Sequence, residues 1–292
     1  MRSLTSLYSQ PLKLSMLDLD KVSKYKVMFI GDRIVDRYIY VKVIGKAVKE
    51  NALSCIFQKE EVFYGGVWAA ANHLITFCDW VHHRGGATDM VNTRQVDDVY
   101  LRKLLVMHEL RPSTERNDPY DIGWYDLVVI TDFGHGCMTD ELIAKVSKEA
   151  KFLAVNTQTN ATNYGFNVIT KYPRADFVVI DELEARLATH DAKRPIEDVI
   201  LKLGFKKIIV TQGTRGAIGY DGTSFERQDA LTDKVTDTMG SGDAFLAVTS
   251  PFAAAGLPMK DLLTIGNIAG AIKCGIVGHR SSVTKDAVRK YL

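Results

Sequence analysis

The chain is 292 residues long, 46% hydrophobic and 25% charged, which excludes a disordered chain, a collagen and a small disulfide scaffold. At this length a domain can bury a large core without staples. With 37 Lys and Arg against 35 Asp and Glu the net charge is +2, which argues against a dedicated nucleic-acid binder and leaves room for a local basic pocket.

No segment reaches the ~20 apolar residues of a bilayer span, so no membrane partner is expected. Residues 1–25 hold Arg2, Lys13, Asp18, Asp20, Lys21 and Lys24 and lack the continuous apolar core of a signal peptide. They read as an N-terminal extension of a cytoplasmic protein whose one domain spans 26–292. Cys55, Cys78, Cys137 and Cys274 form no Cys-x-x-Cys pair and read as four buried thiols in a reduced compartment.

Short apolar runs then recur along the chain. Residues 27–30 end at Gly31 and Asp32, 127–130 at Thr131 and Asp132, 152–155 at Asn156, 177–180 at Asp181, and 208–210 at Thr211. They do not alternate, so both faces of these strands are buried. Helical patterns lie between them, at 139–150 and 196–203. This alternation predicts an α/β fold with a mostly parallel central sheet flanked by helices. Ligands of such sheets sit outside the carboxyl ends of the strands, where the polar residues fall. Residues 38–63 alternate instead, with no room for a crossover helix, and predict a small β lid. Residues 99–103 read as a strand and 112–121 as a polar loop. His82, His83 and His135 lack zinc spacing and read as surface or turn histidines.

The strongest motif is Asp237-Thr238-Met239-Gly240-Ser241-Gly242-Asp243, which opens an apolar helix. Glycines around a serine let backbone N–H groups converge, and the helix N-terminus adds its positive end, making an anion cradle. Asp243 at its mouth suits removal of a proton from an attacking hydroxyl. An acid in the first turn of a helix also favours the dipole alone, so the local sequence leaves both readings open. The motif is neither a Walker A loop nor a dinucleotide fingerprint.

Asp-Thr-x-Gly-Ser-Gly-Asp-Ala-Phe resembles the C-terminal signature of the PfkB, or ribokinase-like, carbohydrate kinases. Gly31-Asp32-Arg33-Ile34-Val35-Asp36-Arg37-Tyr38 resembles their first strand end. It is most similar to the heptose-7-phosphate kinase domain of ADP-heptose synthesis enzymes. Gly65-Gly66, Thr131 to Gly136, Thr211-Gln212-Gly213-Thr214-Arg215-Gly216 and Gly266 to Gly278 follow in the family's order, over residues 26–292.

The resemblance implies a ribokinase-like fold and transfer of the ATP γ-phosphoryl group to a sugar hydroxyl. The substrate it implies is a small-molecule sugar already carrying phosphate, a heptose 7-phosphate. Asp243 is then the general base, with the Gly240, Ser241 and Gly242 amides holding developing charge. Thr211, Gly213 and Gly216 border the nucleotide. Glu184 and Asp181 serve the nucleotide and Mg2+. Asp32, Asp36, Arg37, Gly65 and Gly66 face the sugar, with Lys46 and Lys49 as further phosphate partners, and a homodimer would form through the lid. A kinase for another sugar or nucleoside, or a non-catalytic regulator on the same fold, stays open. Since the sequence stops at Leu292, no nucleotidyltransferase domain is expected in it. The chain departs from the family pattern at Asp181, where asparagine is usual, and at Asn156-Thr157-Gln158, which lacks a lysine. A further departure is the stretch Val67-Trp68-Ala69, where an asparagine is missing and the Trp68 indole is expected on the sugar side.

Overall fold

A computed structural model describes residues 17–114, 120–232 and 235–292. The chain enters with one 3-10 turn, Leu19–Val22, whose Leu19 and Val22 are buried. Both pack into the main core, within the stretch 1–25 read from sequence as an N-terminal extension. The elements that follow are β1 (Lys26–Gly31), β2 (Arg33–Lys46), β3 (Leu53–Gly66), α1 (Val67–Asn72), β4 (Trp80–Arg84), β5 (Thr88–Asp97) and β6 (Lys103–Pro112). Next come β7 (Leu127–Asp132), α2 (Asp140–Glu149), β8 (Leu153–Thr157), β9 (Phe177–Asp181), α3 (Glu182–Thr189), α4 (Ile196–Leu203) and β10 (Ile208–Thr211). The chain closes with β11 (Ala217–Tyr220), β12 (Phe225–Gln228), α5 (Ser241–Ala254), α6 (Met259–Cys274) and α7 (Lys285–Arg289).

The main sheet has the order β12-β11-β10-β9-β8-β7-β1-β4. The strands from β4 to β10 run parallel, and β11 and β12 add an antiparallel edge. Successive residues of β1, β7, β8, β9 and β10 feed opposite cores. Val27, Phe29, Val129 and Val179 pack with α1, α5 and α6. Met28, Ile30, Val128, Ile130, Val178 and Ile180 pack with α2, α3 and α4. Both faces are covered, so both parities are apolar and the runs do not alternate.

The second sheet is the lid, and it is larger than expected. It has four strands in the order β3-β2-β5-β6, not one hairpin within 38–63. β5 joins the free edge of β2 in parallel, with Asp36 opposite Asn92 and Tyr38 opposite Arg94. β6 then pairs antiparallel with β5. The strand expected at 99–103 is instead mostly the turn between them. The Asp97 carboxylate accepts the Val99 and Tyr100 amides at 2.8 and 3.0 Å, and Leu101 turns through φ 53°. Of the polar loop expected at 112–121, residues 115–119 lie outside the described residues.

Buried Arg33 pins the lid at its root, donating to Asp89 at 2.7 Å and to the Gly86 carbonyl at 2.5 Å. Gly66 returns the chain to α1 at φ 63°, where a Cβ would lie 2.2 Å from the Asp32 carbonyl oxygen. Only glycine fits so close a crossing at that φ. The cysteines are all free, but only Cys78 and Cys137 are buried; Cys55 is exposed on the lid. No helix among the described residues is long and apolar enough to cross a membrane.

Candidate active site

Two cavities open at the carboxyl end of the main sheet and share a wall. The larger, about 400 Å³, lies under the lid and is lined by Asp36, Arg94, His108, Gln158, Asp243 and His279 among others. The smaller, about 210 Å³, is lined by Thr211, Gly213, Gly216, Ser241, Asn267 and their neighbours. Thr238 and Gly242 line both. The sequence motif at 237–243 is thus the partition between the cavities.

Local geometry explains the partition. Asp237 accepts the Met239 amide at 3.0 Å, and Gly240 turns the chain at φ 74° as the N-cap of α5. The Ser241 amide is spent on the Thr238 carbonyl at 3.2 Å. The first-turn amides of Gly242 and Asp243 are left without an intrahelical partner by the helix start. Of the expected trio of Gly240, Ser241 and Gly242 amides, that of Ser241 is taken up by the Thr238 carbonyl. An ideal Cβ on Gly242 would meet nothing within 4 Å, so its Cα faces open cavity.

Asp243 is buried, and its carboxylate accepts a hydrogen bond from Gln158 at 2.8 Å. Burial pushes its carboxyl up to about 7, against the Lys273 charge and the Gln158 hydrogen bond, which pull it down. Gln158 follows β8, where the sequence departs from the family pattern, and it is the direct partner of the acid.

Glu184 and Asp181 stand at the start of α3, where they form a reciprocal capping box. Glu184 accepts the Asp181 amide at 2.8 Å and the Thr159 amide at 3.1 Å, one on each oxygen. Burial, then the charges of Asp181 and Asp243, push the Glu184 carboxyl up to about 8. Neither residue lines either cavity.

The lid side of the larger cavity is set by strand parity. Ile34 and Asp36 face the cavity, while Val35 and Arg37 face a separate outer concavity. Arg37 pairs there with Glu60 and does not line the larger cavity with Asp36. Trp68 lies in the same outer concavity, edge-on to Tyr64, so its indole does not alter the inner cavity. Asp32 is also displaced from its expected role. It is buried, and it accepts the amides of Phe133, His135 and Cys137 at 2.9, 3.2 and 2.9 Å, tying down the loop after β7. Lys46 pairs with Leu53 at the far end of the hairpin, ten residues from Asp36 and roughly 30 Å away at strand rise. Lys49 lies in the turn beyond it, so neither lysine is near the cavity.

The polar groups that do meet Asp36 come from elsewhere. Its carboxylate pairs with Arg94 and accepts from Asn92 at 3.1 Å, and Asn92 in turn bonds His108 at 2.7 Å. His279 stands 4.0 Å away across the cavity. A Cβ on Gly65 would lie 2.9 Å from His279, so Gly65 backs this group, while Gly66 lines the cavity itself. His135 also lines the cavity, contrary to its reading as an ordinary turn histidine. Burial holds His279 and His135 below the usual imidazole range, with Asp36 and Asp32 respectively opposing. The alternation of Met90, Asn92 and Arg94 was the available signal for the strand residues. His279 had none beyond following Gly278.

The profile of the pfkB family carbohydrate kinases matches residues 133–286, more than half the chain. The chain belongs to that family. The bifunctional protein HldE of Nitratiruptor sp. is 21% identical to it over 92% of this chain and 65% of that protein. HldE of Hyphomonas neptunium is 27% identical over 89% and 62%. The chain thus spans less than two thirds of the length of these relatives. The structure of Arabidopsis thaliana ribokinase complexed with ribose and ATP superposes with a TM-score of 0.68 at 13% identity, over 92% of this chain and 98% of that one. The fold is ribokinase-like.

Proposed function

We propose that this kinase moves the γ-phosphoryl group of ATP onto a hydroxyl of a sugar that already carries phosphate, best read as a heptose 7-phosphate. The carrying observation is the shared wall. Thr238 and Gly242 border both cavities, and Asp243 is buried at the junction. A nucleotide in the smaller cavity, beside Thr211, Gly213 and Gly216, would present its terminal phosphate to the Gly242 and Asp243 amides. A sugar in the larger cavity would bring its hydroxyl to the Asp243 carboxylate. Asp243 takes the hydroxyl proton as the oxygen attacks phosphorus, and the cradle amides and helix end stabilise the charge on the phosphoryl oxygens. Asn267 supports the nucleotide side, since its buried amide nitrogen has no hydrogen-bond partner among the described residues.

Magnesium fits only as a phosphate-held ion. Both Glu184 oxygens accept backbone amides, Asp181 caps α3, and among the described residues no three His, Cys, Asp or Glu side chains cluster as ligands. Glu184 would reach the ion through water, and the ion would supply charge neutralisation of the phosphates.

Asp36 and Gly66 are proposed to hold sugar hydroxyls. Arg94 and His108 replace Arg37, Lys46 and Lys49 as the partners of the sugar phosphate. The HldE likeness supports a heptose. A lid-to-lid homodimer is supported by the edge strand β6, where Leu105 and Met107 are exposed, and sedimentation velocity tests it.

The deciding experiment is steady-state kinetics on heptose 7-phosphate and the same heptose without phosphate, at low and high salt. A charge-assisted contact contributes about 1.5–3 kcal/mol, so Arg94→Met should raise KM for the phosphorylated sugar roughly 10- to 100-fold with little change in KM for ATP. Arg37→Ala should alter neither. Equal use of the two sugars by the wild type would remove the phosphate from the reading and leave the sugar-kinase assignment intact.

A further inference from the structure

A lysine enters the interior under the cradle. Lys273, near the end of α6, is 0% exposed. Its ammonium donates to the Met239 carbonyl at 2.6 Å, the Gly278 carbonyl at 2.8 Å and the Ile276 carbonyl at 3.5 Å. Met239 immediately precedes Gly240, and Gly278 immediately precedes His279. The lysine therefore joins the cradle turn to the loop that carries His279 to the sugar cavity. Asp237 ties the same two segments from their amide side, accepting Met239 at 3.0 Å and Gly278 at 2.8 Å. A Cβ on Gly240 would sit 3.4 Å from the Lys273 Cε, so the charge lies directly beneath the turn.

The acceptors identify the chemistry. A neutral amine offers two protons and a lone pair, and that lone pair would face a carbonyl here. Three convergent carbonyls are the partners of an ammonium. They are also what replaces the hydration shell of a bare monovalent cation. Burying an ammonium is costly unless it is hydrogen-bonded, and here two carbonyls accept at 2.6 and 2.8 Å with a third at 3.5 Å. Burial lowers its proton affinity, and the nearby Asp237, Cys274 and Asp243 oppose that.

We propose that Lys273 is a tethered monovalent cation. Its ammonium fills a carbonyl cage beneath the cradle, locks the 238–240 turn to the 275–279 loop, and keeps a fixed positive charge beside Asp243. The proposal rests on the cradle reading above. It makes Lys273 a positioning residue, and it implies that the enzyme needs no dissolved potassium.

The test compares wild type, Lys273→Ala and Lys273→Met in choline, potassium and ammonium chlorides at equal ionic strength. Thermal midpoints are read for all three, and turnover is read with any sugar that supports it. Wild type should be indifferent to the cation in both readouts. Lys273→Ala opens the cage and should lose turnover roughly 10²-fold, the scale of one cradle contact. Potassium or ammonium, but not choline, should restore at least about tenfold of that loss and raise the midpoint. Lys273→Met fills the space without charge and should stay low in every salt. A wild type whose midpoint or turnover depends on potassium overturns the proposal, even if Lys273→Ala does not fold. So does a folded Lys273→Ala that no cation rescues. The midpoints need no sugar, so a failed substrate assignment leaves this test standing.

Discussion

Replacing Asp243 by asparagine separates a catalytic acid from a helix-start acid. The side chains are nearly isosteric, and the asparagine carbonyl can still accept from Gln158, which now donates at 2.8 Å. If Asp243 is the base, turnover should fall about 10²–10⁴-fold. The stability effect has the opposite direction. Burial raises the folded-state pKa from 3.8 to about 7. A raised pKa means the folded chain holds the proton more tightly than the unfolded chain. The stability this contributes is whole below pH 3.8 and is lost as pH rises towards 7. A rise of that size corresponds to roughly 4 kcal/mol, an upper bound on the strain of ionising Asp243 in the folded chain. Asparagine carries no such strain. Asp243→Asn should therefore melt higher than wild type at about pH 8, and the gap should close on going to about pH 4. Wild-type kcat should climb as the carboxyl ionises near pH 7. Circular-dichroism melts at both pH values and a pH–rate profile check this. A variant with near-normal turnover, or one less stable than wild type at the higher pH, would falsify the buried-base argument.

Two further substitutions test the parts around it. Gly242→Ala adds a methyl group where nothing lies within 4 Å, so the thermal midpoint should hold. The methyl group would nevertheless sit between the cavities, and displacing the reacting groups by ~1 Å can cost about 10²-fold in turnover. Gly240→Ala should instead lose about 1–2 kcal/mol of stability, because φ is 74° there. A destabilised Gly242→Ala with unimpaired turnover would count against an open cradle. Asp32→Ala leaves two buried amides and one part-buried amide without an acceptor and should cost about 3 kcal/mol or more in denaturant melts. If it melts like wild type and only KM for sugar rises, Asp32 belongs to the sugar after all.

The parts of the site that the sequence made legible are those built from contiguous residues. The glycine-rich turn at 237–243 and the loop at 211–216 each carry their geometry in one short run, and residues of both line the cavities at the carboxyl end of the sheet. The parallel strands β1, β7, β8, β9 and β10 were equally plain, because strands covered on both faces have no polar parity to confuse them, whereas the mostly exposed edge strand β4 was not. The lid was half legible. Its first hairpin alternates clearly, but every residue of β6 is exposed, so no burial pattern marked it as a strand.

The lid face of the larger cavity was legible in composition and not in placement, and the reason is strand parity. Asp36 and Arg37 are neighbours in sequence, and one pleat sends them to opposite faces of the lid. Counting residues from Gly31 gives no means of choosing which one the cavity takes. The choice is fixed by β5, which pairs with β2 from 56 positions away and brings Asn92 and Arg94 to the Asp36 carboxylate. Asp32 has the same side chain four residues earlier, yet it lies before β2 begins and turns to amides more than 100 positions away in the loop after β7. Two aspartates in one motif thus take different work because each meets a different distant segment. The same holds for the positive charge at the cradle. It comes from Lys273, 34 positions beyond Met239, held by backbone carbonyls that have no signature in sequence at all.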